Sequence, residues 1–183
     1  YLGTTPAGLF RSSDGGVTWR GVAGLNEGKI WGPWNDYGRN ATPGGSILHS
    51  VQIDPRDKRH MYASISGGGT CESFDQGRAW KALSQGLEND LIPGAPGDFG
   101  HDPHCMILHP ANPDRLYVQS HFGIYALERS AGERWTWVGR NMPKAIGDIG
   151  FPMVAHPTDP DTVWVFPMDG TKVWPRTSPG GKP

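Results

Sequence analysis

One phrase occurs three times in this chain, and it constrains the fold more than any other feature. The copies are HSVQIDPRDKRHMYASIS at 49–66, HCMILHPANPDRLYVQSH at 104–121 and FPMVAHPTDPDTVWVFPM at 151–168, and they align without a gap. Each copy has an apolar run, an Asp or His before a Pro, a polar turn, and a second run rich in Tyr, Val or Trp. This order predicts a strand, a turn and a second strand in every copy.

A second recurring phrase begins with glycine and ends in an octapeptide that contains tryptophan. Its copies are GLFRSSDGGVTWRGV, GTCESFDQGRAWKAL and the degraded GIYALERSAGERWTWVG. Together the two phrases make a unit of four short strands, and their alternating apolar positions favour antiparallel pairing over helix. Four-stranded units that repeat every 50 or 60 residues, roughly, are typical of the blades of a β-propeller. The sequence therefore predicts an all-β chain.

The repeats predict a single partial propeller over 1–183 and divide it into blades and long connecting loops. We expect two full blades at 47–83 and 104–139 and two partial blades at 1–22 and 151–177, which together make about half a ring. The connecting loops are 23–46, 84–103 and 140–150, and propeller geometry places them around the mouth of the central channel. Because a propeller closes its ring, we expect a longer chain to supply the remaining blades, or a second copy to cover the exposed ones.

Composition and charge exclude several classes of partner. The chain has 17 Lys and Arg residues against 18 Asp and Glu residues, and it contains no dense basic run that could neutralise a row of phosphates. Its longest apolar runs are too short to cross a bilayer. We therefore expect neither nucleic acid nor a membrane as partner, and no cofactor. The first residues, YLGTTPAG, do not have the form of a signal peptide, so the sequence indicates no compartment.

The octapeptides resemble Asp-boxes, also called BNR repeats, whose pattern is Ser-x-Asp-x-Gly-x-Thr-Trp. The first copy matches fully, at Ser12, Asp14, Gly16, Thr18 and Trp19. The second copy has Ala79 in place of Thr and keeps Ser73, Asp75, Gly77 and Trp80. The third keeps only Gly132 and Trp135. With phrases such as HPANPDRLYV, the chain resembles bacterial BNR-repeat proteins called glycosyl-hydrolase-like or sialidase-like, which are related in fold to sialidases and the sortilin ectodomain.

The resemblance implies a structural role for the boxes and a carbohydrate ligand for the protein. In such a turn the Asp carboxylate accepts backbone N–H bonds, and a glycine adopts the positive φ. The ligand would be bound at the channel mouth, and hydrolysis there is the further activity that the resemblance allows. Sialidase activity is not expected, because Arg39 offers a single arginine where a cluster is needed. The same repeat occurs in sorting receptors and assembly factors, so a non-catalytic recognition or assembly propeller stays open as the alternative.

Histidines are the first group of candidate binding residues. His49 and His104 occupy equivalent positions at the start of two inner strands, where the third copy has Phe151. Three more polar groups lie close to His104 in the sequence or in the blade: His101, Asp102 and His121. Imidazoles beside a carboxylate suit a ligand, an anion or proton transfer. The alternative is that these histidines bond loop carbonyls and close the ring. No metal is assigned, although a metal held by His101, His104 and His121 is a further hypothesis.

The loop IWGPWNDYG is the second candidate, because Trp31 and Trp34 stand close to Asp36. Aromatic rings stack on the C–H faces of sugars while a carboxylate accepts their hydroxyl hydrogens; the alternative is packing of the rings between neighbouring loops. Glycoside hydrolysis needs two carboxyl groups at a set separation. Five aspartates are expected on the loop-bearing face: Asp36, Asp98, Asp102, Asp148 and Asp169. We take Asp36 and Asp102 as the predicted catalytic pair.

Overall fold

A computed structural model describes residues 1–28, 30, 45–89 and 97–168, and in this part of the chain the strands form four antiparallel sheets. The first sheet consists of β1 (Leu2–Gly3), β2 (Leu9–Arg11) and β3 (Arg20–Gly21). The second consists of β4 (Leu48–Ile53), β5 (Met61–Ile65), β6 (Gly69–Ser73) and β7 (Lys81–Ala82). The third consists of β8 (Pro103–Leu108), β9 (Arg115–Ser120), β10 (Gly123–Glu128) and β11 (Thr136–Trp137). The fourth consists of β12 (Gly150–Ala155) and β13 (Val163–Pro167).

Helix is limited, within the described residues, to one turn of α-helix, α1 (Ala23–Asn26), and one 3₁₀ turn at Gly139–Asn141. In every sheet the strands pair antiparallel with their neighbours along the chain, as the alternating apolar pattern predicts. The all-β class and the four-stranded antiparallel unit predicted from the sequence are confirmed. We refer to the four sheets as blades 1 to 4 in chain order.

Blades 2 and 3 are joined along their innermost strands by bonds between side chains and backbone. The Gln52 Nε2 atom of β4 donates to the Met106 carbonyl oxygen of β8 at 3.1 Å. The Met106 N–H in turn donates to the Ser50 Oγ atom at 2.9 Å. These bonds hold β4 beside β8, so that the first residues of the two strands come close together at one end of the blades.

The hydrophobic core lies between blades rather than inside any one of them. Leu9 from blade 1 and Leu25 from α1 pack in one cluster with Met61 and Ile65 from blade 2. A second cluster joins blades 2 and 3, and a third joins blades 3 and 4. All five residues of β5 are buried, because both faces of its sheet are covered. Each buried aliphatic side chain contributes about 1.5–3 kcal/mol, so contact between blades is the main source of stability.

The octapeptides at 12–19 and 73–80 form the same turn, which lies between β2 and β3 in blade 1 and between β6 and β7 in blade 2. In the first, the Ser12 Oγ atom accepts the Gly16 N–H at 2.8 Å and the Asp14 carboxylate accepts the Thr18 N–H at 2.9 Å. In the second, the Ser73 Oγ atom accepts the Gly77 N–H and the Asp75 carboxylate accepts the Ala79 N–H, at the same distances of 2.8 and 2.9 Å. Side-chain and backbone hydrogen bonds from Thr18 lower the pKa of Asp14 to about 2. The acid is therefore engaged within its own turn.

One position in the second turn is strained, and this gives a stability prediction. Gly15 has φ 73° in the first turn, and the equivalent residue of the second turn is Gln76, with φ 65°. A left-handed conformation costs a residue with a side chain about 1–2 kcal/mol. We expect Gln76→Gly to raise the free energy of unfolding by about 0.5–1 kcal/mol, since the greater chain entropy of glycine offsets part of the relief. Urea denaturation would measure the change.

The reciprocal variant, Gly15→Gln, is the matched control because it introduces the same strain into the first turn. It should lower the free energy of unfolding by a similar amount. A loss of stability in Gln76→Gly would contradict the prediction and would mean that the contacts of the Gln76 side chain outweigh the backbone strain.

Candidate functional site

The second residues of three inner strands meet at one end of the blades. These residues are His49 in β4, His104 in β8 and Phe151 in β12. The rings of His104 and Phe151 are stacked, with centroids 4.1 Å apart and planes within 9°. The His49 ring lies 6.0 Å from that of His104 and 6.1 Å from that of Phe151. Three positions that the repeat makes equivalent in sequence thus form one surface.

Asp102 lies immediately before β8 and contacts both histidines that flank it in space. Its Oδ2 atom is 3.2 Å from His104 Nε2 and 3.6 Å from His121 Nδ1. Its Oδ1 atom accepts a short hydrogen bond from the Ser66 hydroxyl, and its carbonyl oxygen accepts the His121 N–H at 2.9 Å. Asp102, His104 and His121 are called the Asp102 cluster below.

Antiparallel pairing explains why these residues come together. In blade 3, Pro103 at the start of β8 pairs with Ser120 at the end of β9, which places Asp102 opposite His121. In blade 2, Leu48 pairs with Ile65 in the same way, so Ser66 lies at the same end. The first and last residues of the repeated phrase therefore build the site. Ser66 was missed by the sequence analysis, although it occupies the position of His121 in the first copy of the phrase.

The protonation states of the site follow from burial and from fixed acceptors. Burial and the neighbouring His104 lower the pKa of His49. Burial opposes ionisation of Asp102, but hydrogen bonds and charge from His104, with the bond from Ser66, outweigh it and hold the pKa of that carboxyl below its usual value. The His104 Nδ1 atom lies 2.8 Å from the Gly150 carbonyl oxygen, which can only accept, so Nδ1 carries a proton. The other ring nitrogen, Nε2, faces Asp102 Oδ2 at 3.2 Å.

The structure does not bring His101 into this cluster. Its Nδ1 atom lies 2.8 Å from the Glu88 carbonyl oxygen and its Nε2 atom 3.0 Å from that of Gly97. Both ring nitrogens therefore face the backbone of the preceding loop. The contacts of His101 are those expected if the histidines hydrogen-bond loop carbonyls, which was the alternative to a binding role.

The other candidate residues are spread over different surroundings. Trp31, Trp34, Asp36 and Asp169 lie outside the described residues. Asp98 is exposed. The Asp148 Oδ2 atom accepts the indole N–H of Trp137 at 2.7 Å, so that carboxylate is engaged in structure. Because Asp36 lies outside the described residues, the distance between Asp36 and Asp102, the predicted catalytic pair, is not part of the described geometry.

No helix in the described ranges is both long and apolar enough to cross a bilayer. No protein-family model matches the chain. A curated relative is the oligoxyloglucan-reducing end-specific xyloglucanase of Emericella nidulans, which is 29% identical over 112 residues. That match covers 61% of this chain and 11% of the relative, so the chain corresponds to a small part of that enzyme.

Solved structures of larger proteins share the fold. The GH74 xyloglucanase from Xanthomonas campestris superposes with a TM-score of 0.64 and 19% identity, and the match covers 99% of this chain and 27% of that one. An ancestral GH74 enzyme superposes with a TM-score of 0.60 and 12% identity, over 89% of this chain and 19% of that one. The Niastella koreensis GH74 enzyme superposes with a TM-score of 0.57 and 19% identity, over 87% of this chain and 22% of that one. The chain therefore shares the β-propeller fold of parts of these larger proteins, which confirms the predicted fold class.

Proposed function

We propose that the chain supplies a carbohydrate-binding surface at the channel mouth of a glycosyl-hydrolase-like β-propeller. The observation that carries the proposal is the contact surface of His49, His104 and Phe151. Phe151 is 37% exposed, and the half-buried imidazole of His49, whose ring centroid lies 6.1 Å from that of Phe151, supplies a polar group beside it. Sugars need this combination, because their C–H faces stack on aromatic rings while their hydroxyls require polar partners. The similarity to a xyloglucanase makes xyloglucan fragments the first ligands to test.

Phe151→Ala is expected to weaken binding of xyloglucan oligosaccharides about tenfold, because it removes a stacking contact of about 1.4 kcal/mol and that free energy corresponds to a tenfold change in affinity. Isothermal titration calorimetry on the chain would measure it. Phe74→Ala is the matched control, because Phe74 is 53% exposed and also stacks on a histidine, His60, with centroids 4.3 Å apart. That ring lies beyond the other end of the β5–β6 pair, away from His49, and its loss should leave affinity unchanged.

Two outcomes would contradict the proposal. Absence of binding by the wild-type chain would favour the non-catalytic recognition or assembly propeller. An equal loss of affinity in Phe74→Ala would move the binding surface away from the mouth. Trp31 and Trp34 stay predicted contributors to the same surface.

Hydrolysis by Asp36 and Asp102 stays a prediction. The lowered pKa of Asp102 keeps its carboxyl ionised at neutral pH, which suits a base rather than a general acid. In a hydrolytic pair Asp36 would then take the role of acid. Release of reducing sugar by the wild-type chain, and its loss in Asp36→Asn with binding retained, would support this assignment.

Two finer parts of the interpretation also belong to the proposal. We propose that the octapeptides at 12–19 and 73–80 are Asp-boxes, which is supported by the equal hydrogen-bond distances in the two turns. Further blades or a second copy stay predicted partners. Exposed apolar side chains on the face of blade 4 that points away from blade 3 support that prediction: Val154, Trp164 and Phe166.

A further inference from the structure

The Asp102 cluster has the spacing of a metal site. Three potential ligand atoms, Asp102 Oδ2, His104 Nε2 and His121 Nδ1, all lie within 4.8 Å of one another. The oxygen is 3.2 Å from one nitrogen and 3.6 Å from the other. Ligand atoms bound at about 2.0–2.1 Å to a tetrahedral ion are about 3.3–3.4 Å apart. Both contacts of the carboxylate therefore have the separation that a shared ion would impose.

Groups outside the cluster already orient two of the three ligand atoms. Gly150 accepts from His104 Nδ1 at 2.8 Å, which directs the Nε2 lone pair toward Asp102. The Ser66 hydroxyl donates to Asp102 Oδ1 and leaves Oδ2 facing the two imidazoles. Metal-binding histidines and carboxylates are typically held in this way by a carbonyl or hydroxyl behind them.

Burial leaves one side of the cluster open. The side chains of His104 and Asp102 are 2% and 7% exposed, whereas that of His121 is 26% exposed. His121 is thus the ring with the most room to move toward an ion. A metal ion would have three protein ligands, and its remaining positions would face solvent on the His121 side.

We propose that Asp102, His104 and His121 bind a divalent transition-metal ion of the Zn²⁺ type. Two imidazole nitrogens and one carboxylate oxygen suit such ions, in contrast to the all-oxygen sites of Ca²⁺ and Mg²⁺. Compared with the hypothesis from sequence, Asp102 replaces His101 as a ligand, because His101 faces backbone carbonyls. The inference does not depend on a sugar ligand.

The test is titration of the chelator-treated chain with ZnCl₂ by calorimetry, and with CoCl₂ by visible absorption, in the absence of sugar. We expect one bound ion per chain and a cobalt spectrum typical of low coordination number. His121→Ala should weaken Zn²⁺ binding at least tenfold, since it removes one of three ligands. His156→Ala is the control, because that imidazole lies in the turn after β12, where its Nδ1 atom accepts the Asp159 N–H at 2.9 Å.

Absence of a bound ion in the wild-type chain would overturn the proposal. Equal affinities of wild type and His121→Ala would overturn it as well, because the ion would then be bound elsewhere. Circular dichroism checks that the variant folds, and if it does not, His121→Gln replaces it. Because the titrations contain no sugar, their outcome is independent of the proposed sugar surface.

Discussion

Replacing Glu72 with alanine is expected to lower the free energy of unfolding by about 3–5 kcal/mol. Glu72 lies in β6 with its side chain fully buried, and its carboxylate contacts three cationic or titratable side chains: His60, Lys81 and Arg129. Arg129 belongs to blade 3, and its Nη2 atom donates to both carboxylate oxygens, at 3.1 and 3.0 Å. Removal of the carboxylate leaves a largely buried guanidinium without its partner. Urea denaturation followed by tryptophan fluorescence would measure the loss.

Glu133→Ala is the matched control, because it removes the same kind of group from two of the same partners. Glu133 is 51% exposed and contacts Lys81 at 2.6 Å and Arg129 at 3.8 Å. Exposed ion pairs contribute at most about 1 kcal/mol. Similar losses in the two variants would show that burial does not set the strength of this network, contrary to the expectation.

The pH dependence of stability in this network follows from the ionisation of Glu72. Burial opposes ionisation, but hydrogen bonds from His60 and Lys81 and the charge of Arg129 outweigh it, so the pKa of Glu72 lies below its ordinary value of 4.5. A carboxyl with a lowered folded pKa stabilises the protein above its unfolded pKa, and this contribution is lost as the pH falls through the folded pKa. The stability difference between wild type and Glu72→Gln should therefore be largest near neutral pH and decrease below about pH 4.

Trp135→Ala is the second substitution for which we expect a large loss, about 3–5 kcal/mol, because it opens a cavity between blades 2 and 3. The Trp135 side chain is 2% exposed and packs in a cluster with Tyr62, Leu83 and Met106. Its indole N–H donates to the Leu83 carbonyl oxygen at 2.6 Å, and its backbone N–H donates to Gln85 at 2.9 Å. Chemical denaturation would measure the effect.

Trp19→Ala is the control, since Trp19 occupies the same position of the octapeptide in blade 1. It is 43% exposed, and its indole N–H donates to Gly16 within its own turn at 3.0 Å. We expect a loss of about 1 kcal/mol. If both variants lost the same stability, Trp135 would be acting within its turn and not between blades.

Features that depend on neighbouring residues along the chain could be predicted. The strand pairs follow from apolar alternation and from turn residues, both of which are local patterns. The turns of the octapeptides close within eight residues, from Ser12 to Trp19, so their hydrogen bonds are encoded in the phrase itself. The equivalence of His49 and His104 came from the repeat, because residues in the same register of two blades occupy the same end.

Features that depend on the next blade could not be predicted. Trp135 keeps the tryptophan of the octapeptide, yet its indole leaves its own turn and bonds to blade 2. His101 turns toward the preceding loop, while Ser66 joins the Asp102 cluster. Each of these outcomes depends on which acceptor or donor another segment places within about 3 Å, a distance at which hydrogen bonds form.

The sequence by itself determined the blades and which residues start each inner strand, because periodicity and turn chemistry act over a few residues. Only the tertiary structure decided how those residues are used. Stacked blades bring Glu72 against Arg129, and Asp102 against Ser66 and His121. The physical reason is that burial and hydrogen bonding between blades depend on the relative position of two sheets, which no local pattern specifies.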